Sequence, residues 1–401
     1  MKILHTADLH LGKKIVKASR LPEQCDVIRE IAELCDERDV DVVLIAGDIF
    51  DSFVPPSEAE RVFYRGMLTL AERGRAVIAL AGNHDDERRL CAAKPLADLQ
   101  GIVLAGELDY SALGGEALTE PVPPASLLEV ASAADYLQKQ RIRITGRFGG
   151  VTVTKGSEHV NIALVPFPAE SRLSRWAEQN YDISYEDRVK NTLESACAFF
   201  DDGYNILCTH LFLTKGQSDS LGGLMALPVD ILPKSADYVA LGHVHKRYRV
   251  SKSPLAEYCG SPLQYAYDEV RGKSVNIVDT EKRSVETVPL NSGKKLTETD
   301  ADNFDECMQK LDFYKDDYVR LKYGGDPLGR EETAAIKAHP AFNDIVLTGT
   351  VRGEVVSVRR AHLSEGEVFD MYYRSRHGAE PSAELKATFI ELMEELKSEA
   401  R

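Results

Sequence analysis

Five short stretches of the chain carry side chains that could bind metal ions. They are Asp8-Leu9-His10, Gly47-Asp48-Ile49-Phe50-Asp51, Gly82-Asn83-His84-Asp85, the single His210, and Gly242-His243-Val244-His245. Together they offer carboxylate and amide oxygens and imidazole nitrogens, but no thiolate. That set suits Mn, Fe, Zn and similar divalent ions, and does not suit Cu(I) or an iron–sulfur cluster. Asp8, His10, Asp48, Asn83, His210, His243 and His245 are too many ligands for one tetrahedral ion. They suit two ions that share a bridging carboxylate. Two ions roughly 3.5–4 Å apart can clamp the attacking and leaving oxygens of an in-line displacement at phosphorus. A lone Asp-x-His, or a lone Gly-Asn-His-Asp, reads equally well as a turn. The conjunction decides for metal: of the ten histidines, five (His10, His84, His210, His243 and His245) fall inside these motifs. His5, His159, His339, His362 and His377 read as structural or surface residues, with His5 nearest the site in sequence.

Positioning these residues requires strands that end together. Apolar runs at 3–4, 41–46, 76–81, 205–208 and 238–241 read as strands, and each motif follows one of them directly. Residues 22–38 and 57–73 have helical spacing, at Val27, Ile28, Ile31 and Leu34 and at Val62, Phe63, Met67 and Leu70, with Ser57 as the expected N-cap. Strands alternating with helices define an α/β domain. Sites in open α/β sheets form at the carboxyl ends of strands, so the five motifs are expected at one sheet edge. Gly47, Gly82 and Gly242 would permit the tight turns this needs. Further strands are expected at 141–145, 151–154 and 161–165, after an insertion at 107–140 without clear pattern. Beyond residue 279, strands at 317–322 and 344–348 flank a helix at 331–338. Two terminal helices, 366–375 and 382–398, close the chain. The second carries Leu385, Phe389, Leu392, Met393 and Leu396 on one stripe.

Composition sets limits on all of this. A chain of 401 residues with 43% hydrophobic and 28% charged residues can bury a core, which excludes disorder as a description of the whole. No apolar run reaches membrane-spanning length, and the opening residues do not read as a signal peptide. The seven cysteines are odd in number, scattered and never spaced CxxC, which points to reduced thiols in a cytoplasmic protein. The net charge of −15 argues against nucleic acid as a partner when taken alone. Two divalent ions would contribute about +4 against −2 from two ligand carboxylates, so the site itself could still attract phosphate. Salt screens more distant acidic residues beyond about 8 Å. Lys13, Lys14, Lys17, Arg20 and Lys215 are candidate DNA contacts, although each reads more readily as an ordinary solvated charge.

The motifs resemble those of the calcineurin-like metallophosphoesterases. The opening Ile3-Leu4-His5-Thr6-Ala7-Asp8-Leu9-His10-Leu11-Gly12 is narrower, as are the stretches around Asp48, Asn83 and His243 and the downstream Tyr258-Cys259-Gly260-Ser261-Pro262-Leu263. These resemble the SbcD family of bacterial DNA repair nucleases, over nearly the whole chain. The resemblance implies a β-sandwich flanked by helices (residues 1–279), a small α/β capping domain (280–362) and a C-terminal helical hairpin (363–401). It implies two divalent ions, with Mn²⁺ the expected metal. Asp8, His10, Asp48 and His245 would hold the first. Asp48, Asn83, His210 and His243 would hold the second, with Asp48 bridging. His84 would be the catalytic histidine, placed to protonate the leaving oxygen, with Asp85 available to orient it and Asp51 lying just outside the ligands. The implied activities are 3′–5′ exonuclease action on double-stranded DNA and endonuclease action on single-stranded or hairpin DNA. The implied partner is an SbcC-like coiled-coil ATPase docked on the C-terminal hairpin, within a heterotetramer containing a homodimer of this chain and not bound to membrane. A small-molecule or protein phosphoesterase of the same superfamily, and a scaffolding subunit of the ATPase, are the alternatives.

Overall fold

The computed structural model describes residues 1–16, 18–106, 142–147, 149–169, 173, 183–214, 220–221, 224–348, 373–374, 381–382 and 385–386. The 107–140 insertion lies outside them, as do the terminal helices apart from these few residues. So do Lys17 and Lys215.

In chain order the principal elements begin with strand β1 (Lys2–Thr6), helix α1 (Leu21–Glu37), β2 (Val42–Ala46), helix α2 (Ser57–Leu70), β3 (Ala76–Leu80) and β4 (Ile102–Ala105). Next come β5 (Arg143–Arg147), β6 (Gly150–Lys155), β7 (Glu158–Val165), α3 (Tyr185–Ala196), β8 (Tyr204–His210) and β9 (Tyr238–Gly242). Then follow β10 (Tyr248–Lys252), β11 (Leu255–Tyr258), β12 (Lys273–Asp279) and β13 (Ser284–Leu290). The last are β14 (Leu296–Ala301), α4 (Phe304–Phe313), β15 (Tyr318–Tyr323), α5 (Arg330–Ala338) and β16 (Phe342–Leu347).

Two sheets face each other. The first runs β13-β12-β1-β2-β3-β4 and the second β10-β11-β9-β8-β7-β6-β5. Strands β1 to β4 are parallel, and so are β7, β8, β9 and β11. Every residue of β2 is buried because both faces of its sheet are covered. Val42, Leu44 and Ala46 pack between the sheets against Val153, Ile162, Ile206 and Ala240. Val43 and Ile45 pack the other way, with Ile28 and Ile31 of α1 and Phe63 and Met67 of α2. On the far side of the second sheet, Leu207 and Val239 pack with Val189 and Leu193 of α3. The result is an α/β sandwich flanked by helices on both sides.

Three details differ from expectation. The motifs follow strands of two facing sheets, not one, because burying both faces of two sheets takes four layers. Helix α2 has Pro56 at its N-cap position, in extended backbone (φ −59°, ψ 146°), so Ser57 is the first helical residue and its hydroxyl turns to Glu58. The same helix stops at Leu70, because Arg73 and Gly74 take left-handed φ values of 61° and 73°.

Strand β13 pairs with β12 in the first sheet, so that sheet continues past residue 279. Residues 296–347 build a separate three-stranded parallel sheet, β14-β15-β16, around Cys307, Leu311, Val319, Leu321 and Ile336. Met1–Leu347 together form one compact unit. Arg20 is fully buried, donating to Glu23 (2.8 Å) and to the Lys294 carbonyl (3.0 Å), with its guanidinium over the Tyr318 ring. It is therefore no surface contact for DNA. All seven cysteines are free thiols, and no described helix is long and apolar enough to cross a membrane.

His5 lies between the two sheets, fully buried, with Nδ1 2.9 Å from the Tyr238 hydroxyl. Burial lowers its pKa to about 3. The folded state thus refuses a proton that the unfolded chain accepts near pH 6.5, so stability rises with pH between those values. Across that window His5 should cost at most about 1.4 kcal/mol per pH unit of acidification. Urea titrations of the wild type and His5→Gln at several pH values between 7 and 5 should show the difference between the two curves shrinking or reversing as pH falls. A constant difference would refute this role of His5.

Candidate metal centre

The carboxyl ends of β1, β2, β3, β8 and β9 open at one end of the sandwich, and the seven expected ligands gather there. The loops are laced by main-chain bonds. Asp8 N donates to Gly47 O (3.0 Å), His10 N to Asp48 O (2.9 Å) and Leu11 N to Ile49 O (2.9 Å). Two bonds cross between the sheets: His243 N donates to Asp8 Oδ1 (2.9 Å), and His210 Nδ1 to the Ala46 carbonyl (2.8 Å). Four of these residues, Asp8, His10, Asp48 and His243, hold φ values of 55°, 43°, 50° and 97°. Non-glycine residues in that region carry strain, which persists only where the surroundings over-determine it.

The glycines make this approach possible. A Cβ on Gly242 would lie 1.8 Å from the Ala46 carbonyl oxygen. A Cβ on Gly47, itself at φ +91°, would lie 2.1 Å from His210 Nδ1. The Gly242 contact is with main chain and cannot be relieved without parting the sheets, and the Gly47 contact would displace the His210 imidazole.

Two groups of ligand atoms result. In one, His10 Nε2 lies 3.0 Å from His245 Nε2, and Asp8 stands within reach of both. In the other, Asn83 Oδ1 lies 3.0 Å from His210 Nε2 and 2.9 Å from His243 Nδ1. Asp48 Oδ2 sits between them, 3.5 Å from His10 Nε2 and 3.4 Å from His210 Nε2. Ligands about 2.1 Å from one ion and at right angles to each other lie about 3 Å apart, which matches this spacing. Asp8 Oδ2 is buried with no hydrogen-bond partner, an uncommon condition that a cation would relieve. The donor set and this orphaned oxygen fit a pair of divalent ions.

The electrostatics agree. Burial raises the pKa of Asp8, and the charge of Asp48 raises it further. Burial also pushes Asp48 upward, but the neighbouring His210 and His10 hold it well below the ordinary carboxylate range. Burial would lower His210, yet the Asp48 and Asp8 carboxylates raise it to about 9. His243 is lowered to about 4 by burial and by the charge of His210.

His84 stands beside these groups, its ring edge-on to His10 with centroids 4.9 Å apart. Its main-chain N–H donates to Asp48 Oδ1 (2.9 Å), and its imidazole Nδ1 lies 3.0 Å from the Asp51 carbonyl oxygen. The main chain of Asp51 therefore orients His84, a role the sequence reading gave to Asp85. The fully buried Asp85 carboxylate instead accepts three main-chain N–H groups, from Ile49 (3.0 Å), Phe50 (2.8 Å) and Gly82 (2.8 Å). Burial and the Asp48 charge raise Asp85 to about 6 against those donors. The Asp51 side chain lies just outside the ligands, 3.5 Å from His10 Nδ1 and 2.8 Å from Lys13 Nζ.

Sequence reasoning missed Glu269 and Lys273. Glu269 Oε1 lies 2.8 Å from His245 Nδ1, and Lys273 Nζ lies 2.6 Å from Glu269 Oε2. Both are close to the site only through the fold. No spacing marks them, and their position after a strand-ending motif is the one available hint.

A calcineurin-like phosphoesterase family model matches residues 1–247. The D subunit of the SbcCD nuclease from Bacillus subtilis (strain 168) is 33% identical over 426 aligned positions, covering 100% of this chain and 99% of that one. The corresponding subunit of Escherichia coli (strain K12) is 29% identical, covering 72% of this chain and 67% of its own. A dimetal phosphatase structure from Danio rerio overlaps 69% of this chain and 91% of its own at 12% identity and a TM-score of 0.37, a likeness too slight to add to the assignment. The chain belongs to the calcineurin-like phosphoesterases, and within them to the family of SbcCD nuclease D subunits. It is a metal-dependent hydrolase of phosphoesters.

Asp85→Asn presents an amide where three N–H groups need acceptors, leaving at least one buried donor unpaired at about 1–3 kcal/mol. We expect thermal unfolding to show that loss, together with weaker metal binding. Gly242→Ala should be worse, because the clash is with main chain. A Gly242→Ala variant with wild-type stability and metal content would contradict the close approach of the sheets.

Proposed function

We propose that this chain is a two-metal DNA nuclease. The observation that carries the reading is the placement of Asp48 Oδ2 between two ligand groups, with His84 alongside. Asp8, His10, Asp48 and His245 would hold one ion, and Asp48, Asn83, His210 and His243 the other. Divalent ions bound there, Mn²⁺ by expectation, would activate a water and neutralise phosphate charge. The chain's own residues do the rest. The Ala46 carbonyl accepts a hydrogen bond from His210 Nδ1–H and leaves Nε2 free as a ligand. The Asp51 carbonyl accepts the Nδ1–H of His84 and leaves Nε2 for the substrate, where a second proton on Nε2 would be donated to a phosphoryl oxygen or passed to the departing oxygen.

The full-length likeness to a nuclease subunit supports nucleic acid as substrate; on this reading the chain would act as a 3′–5′ exonuclease on DNA duplexes and an endonuclease on single strands or hairpins. It also supports an SbcC partner subunit, which this reading takes to be a coiled-coil ATPase, in a cytoplasmic setting. A capping role for residues 280–362 would fall chiefly to the small sheet, and docking of the ATPase to the hairpin at 363–401. Tyr64 and Leu68 of α2 are exposed, an apolar pair that a homodimer of this chain would cover.

The purified chain with Mn²⁺ should cut end-labelled duplex and hairpin DNA, more weakly as salt rises. His84→Ala should lose about 10²–10⁴-fold in rate while still binding metal. A chelator should abolish cutting. Turnover of a small phosphodiester with DNA left intact, even after adding the ATPase, would move the assignment to a small-molecule phosphoesterase.

A further inference from the structure

The described ligand histidines are not oriented alike. His210 gives its Nδ1 proton to a main-chain carbonyl, and His243 turns Nδ1 toward Asn83. Two ligand histidines face a carboxylate with Nδ1, and His245 holds the closer one: Glu269 Oε1 lies 2.8 Å from its Nδ1, against 3.5 Å between Asp51 Oδ1 and His10 Nδ1, while His245 Nε2 faces His10 Nε2 at 3.0 Å. Glu269 comes from the segment between β11 and β12 and is itself tied at every corner. Its Oε2 accepts from Lys273 Nζ (2.6 Å) and from the Tyr265 main-chain N–H (3.2 Å). Lys273 is anchored in turn on the His245 carbonyl (3.1 Å) and Ser261 Oγ (2.8 Å). The side chains of Glu269 and Lys273 are only 13% and 7% exposed. Burying an ion pair costs desolvation that the pair itself often fails to recover. Its geometry here accounts for the cost: it closes a ring from the His245 main chain, through Lys273 and Glu269, back to the His245 imidazole. Two residues before Glu269, Tyr267 is held by the small sheet, with Arg320 stacked 4.0 Å over its ring and Asn343 Nδ2 2.6 Å from its hydroxyl.

We propose that Glu269 is a positioning residue for the metal held by Asp8, His10 and His245. It fixes His245 with the proton on Nδ1 and the Nε2 lone pair aimed at the ion, and Lys273 holds Glu269 in place. The proposal rests on the two-metal reading above. Carboxylates that hold a ligand histidine in this way typically contribute 10–100-fold in metal affinity.

The test is Mn²⁺ titration of the full chain by calorimetry and electron paramagnetic resonance, beside thermal unfolding of the metal-free protein. Glu269→Ala should weaken one of the two sites by 10–100-fold and leave the other at its wild-type affinity. Glu269→Gln keeps an acceptor for the Nδ1 proton and should lose less. Phosphodiester hydrolysis by both variants should recover as Mn²⁺ is raised. Wild-type affinities at both sites in Glu269→Ala would overturn the proposal and leave the two-metal reading standing, and so would equal losses in Ala and Gln. Should Glu269→Ala not fold, Glu269→Gln decides alone: an unchanged affinity with unchanged recovery overturns the proposal. A wild-type chain that binds fewer than two Mn²⁺ would instead defeat the reading on which the proposal stands.

Discussion

Everything at the site depends on how closely two sheets approach at one end. The Ala46 carbonyl of the first sheet receives the imidazole N–H of His210 from the second, and Gly242 packs against the same oxygen with no room for a methyl group. Five loops from five strands then share a space only a few ångströms across. Their main-chain groups must bond one another there, because many of these loop residues are buried and unpaired N–H groups are costly. Asp85 supplies part of the solution, gathering N–H groups from two different loops onto one carboxylate.

The same approach brings together charges that repel. Asp8, Asp48 and Asp85 are all buried, and the charge of Asp48 raises the cost of ionising the other two. Histidines offset part of this repulsion, and divalent ions would offset more. Metal binding and folding are thus coupled through the same side chains, since an ion that favours the assembled ligands also favours the sheets that assemble them.

The site's residue types were legible in the sequence because each sits directly after an apolar strand, where local pattern and chemistry coincide. The parallel strands of the core were legible for a related reason: with both faces covered they read as unbroken apolar runs, as at Val42–Ala46. The two-sheet arrangement was not visible in spacing, and came only through resemblance to a family. Strands β10 to β14 escaped notice because they alternate or carry polar residues, as in Ser284–Leu290. Asp85 was misassigned for an equally physical reason. Adjacency in sequence to His84 suggested a partnership, whereas a fully buried carboxylate is claimed by the nearest unsatisfied N–H groups. Glu269 was invisible because its partner lies 24 residues away and on another loop.

The left-handed backbone at Asp8, His10, Asp48 and His243 has a consequence for descent as well as for chemistry. Selection on these positions has two sources, the metal and the main chain, and they can be separated. In a lineage that abandoned the ions, the demand for oxygen and nitrogen ligands would lapse, while the demand for positive φ would persist as long as the fold did. Such positions would drift toward glycine and asparagine, which tolerate that region, and away from alanine or branched residues. A silent relative would then carry the outline of the vanished ions in its glycines.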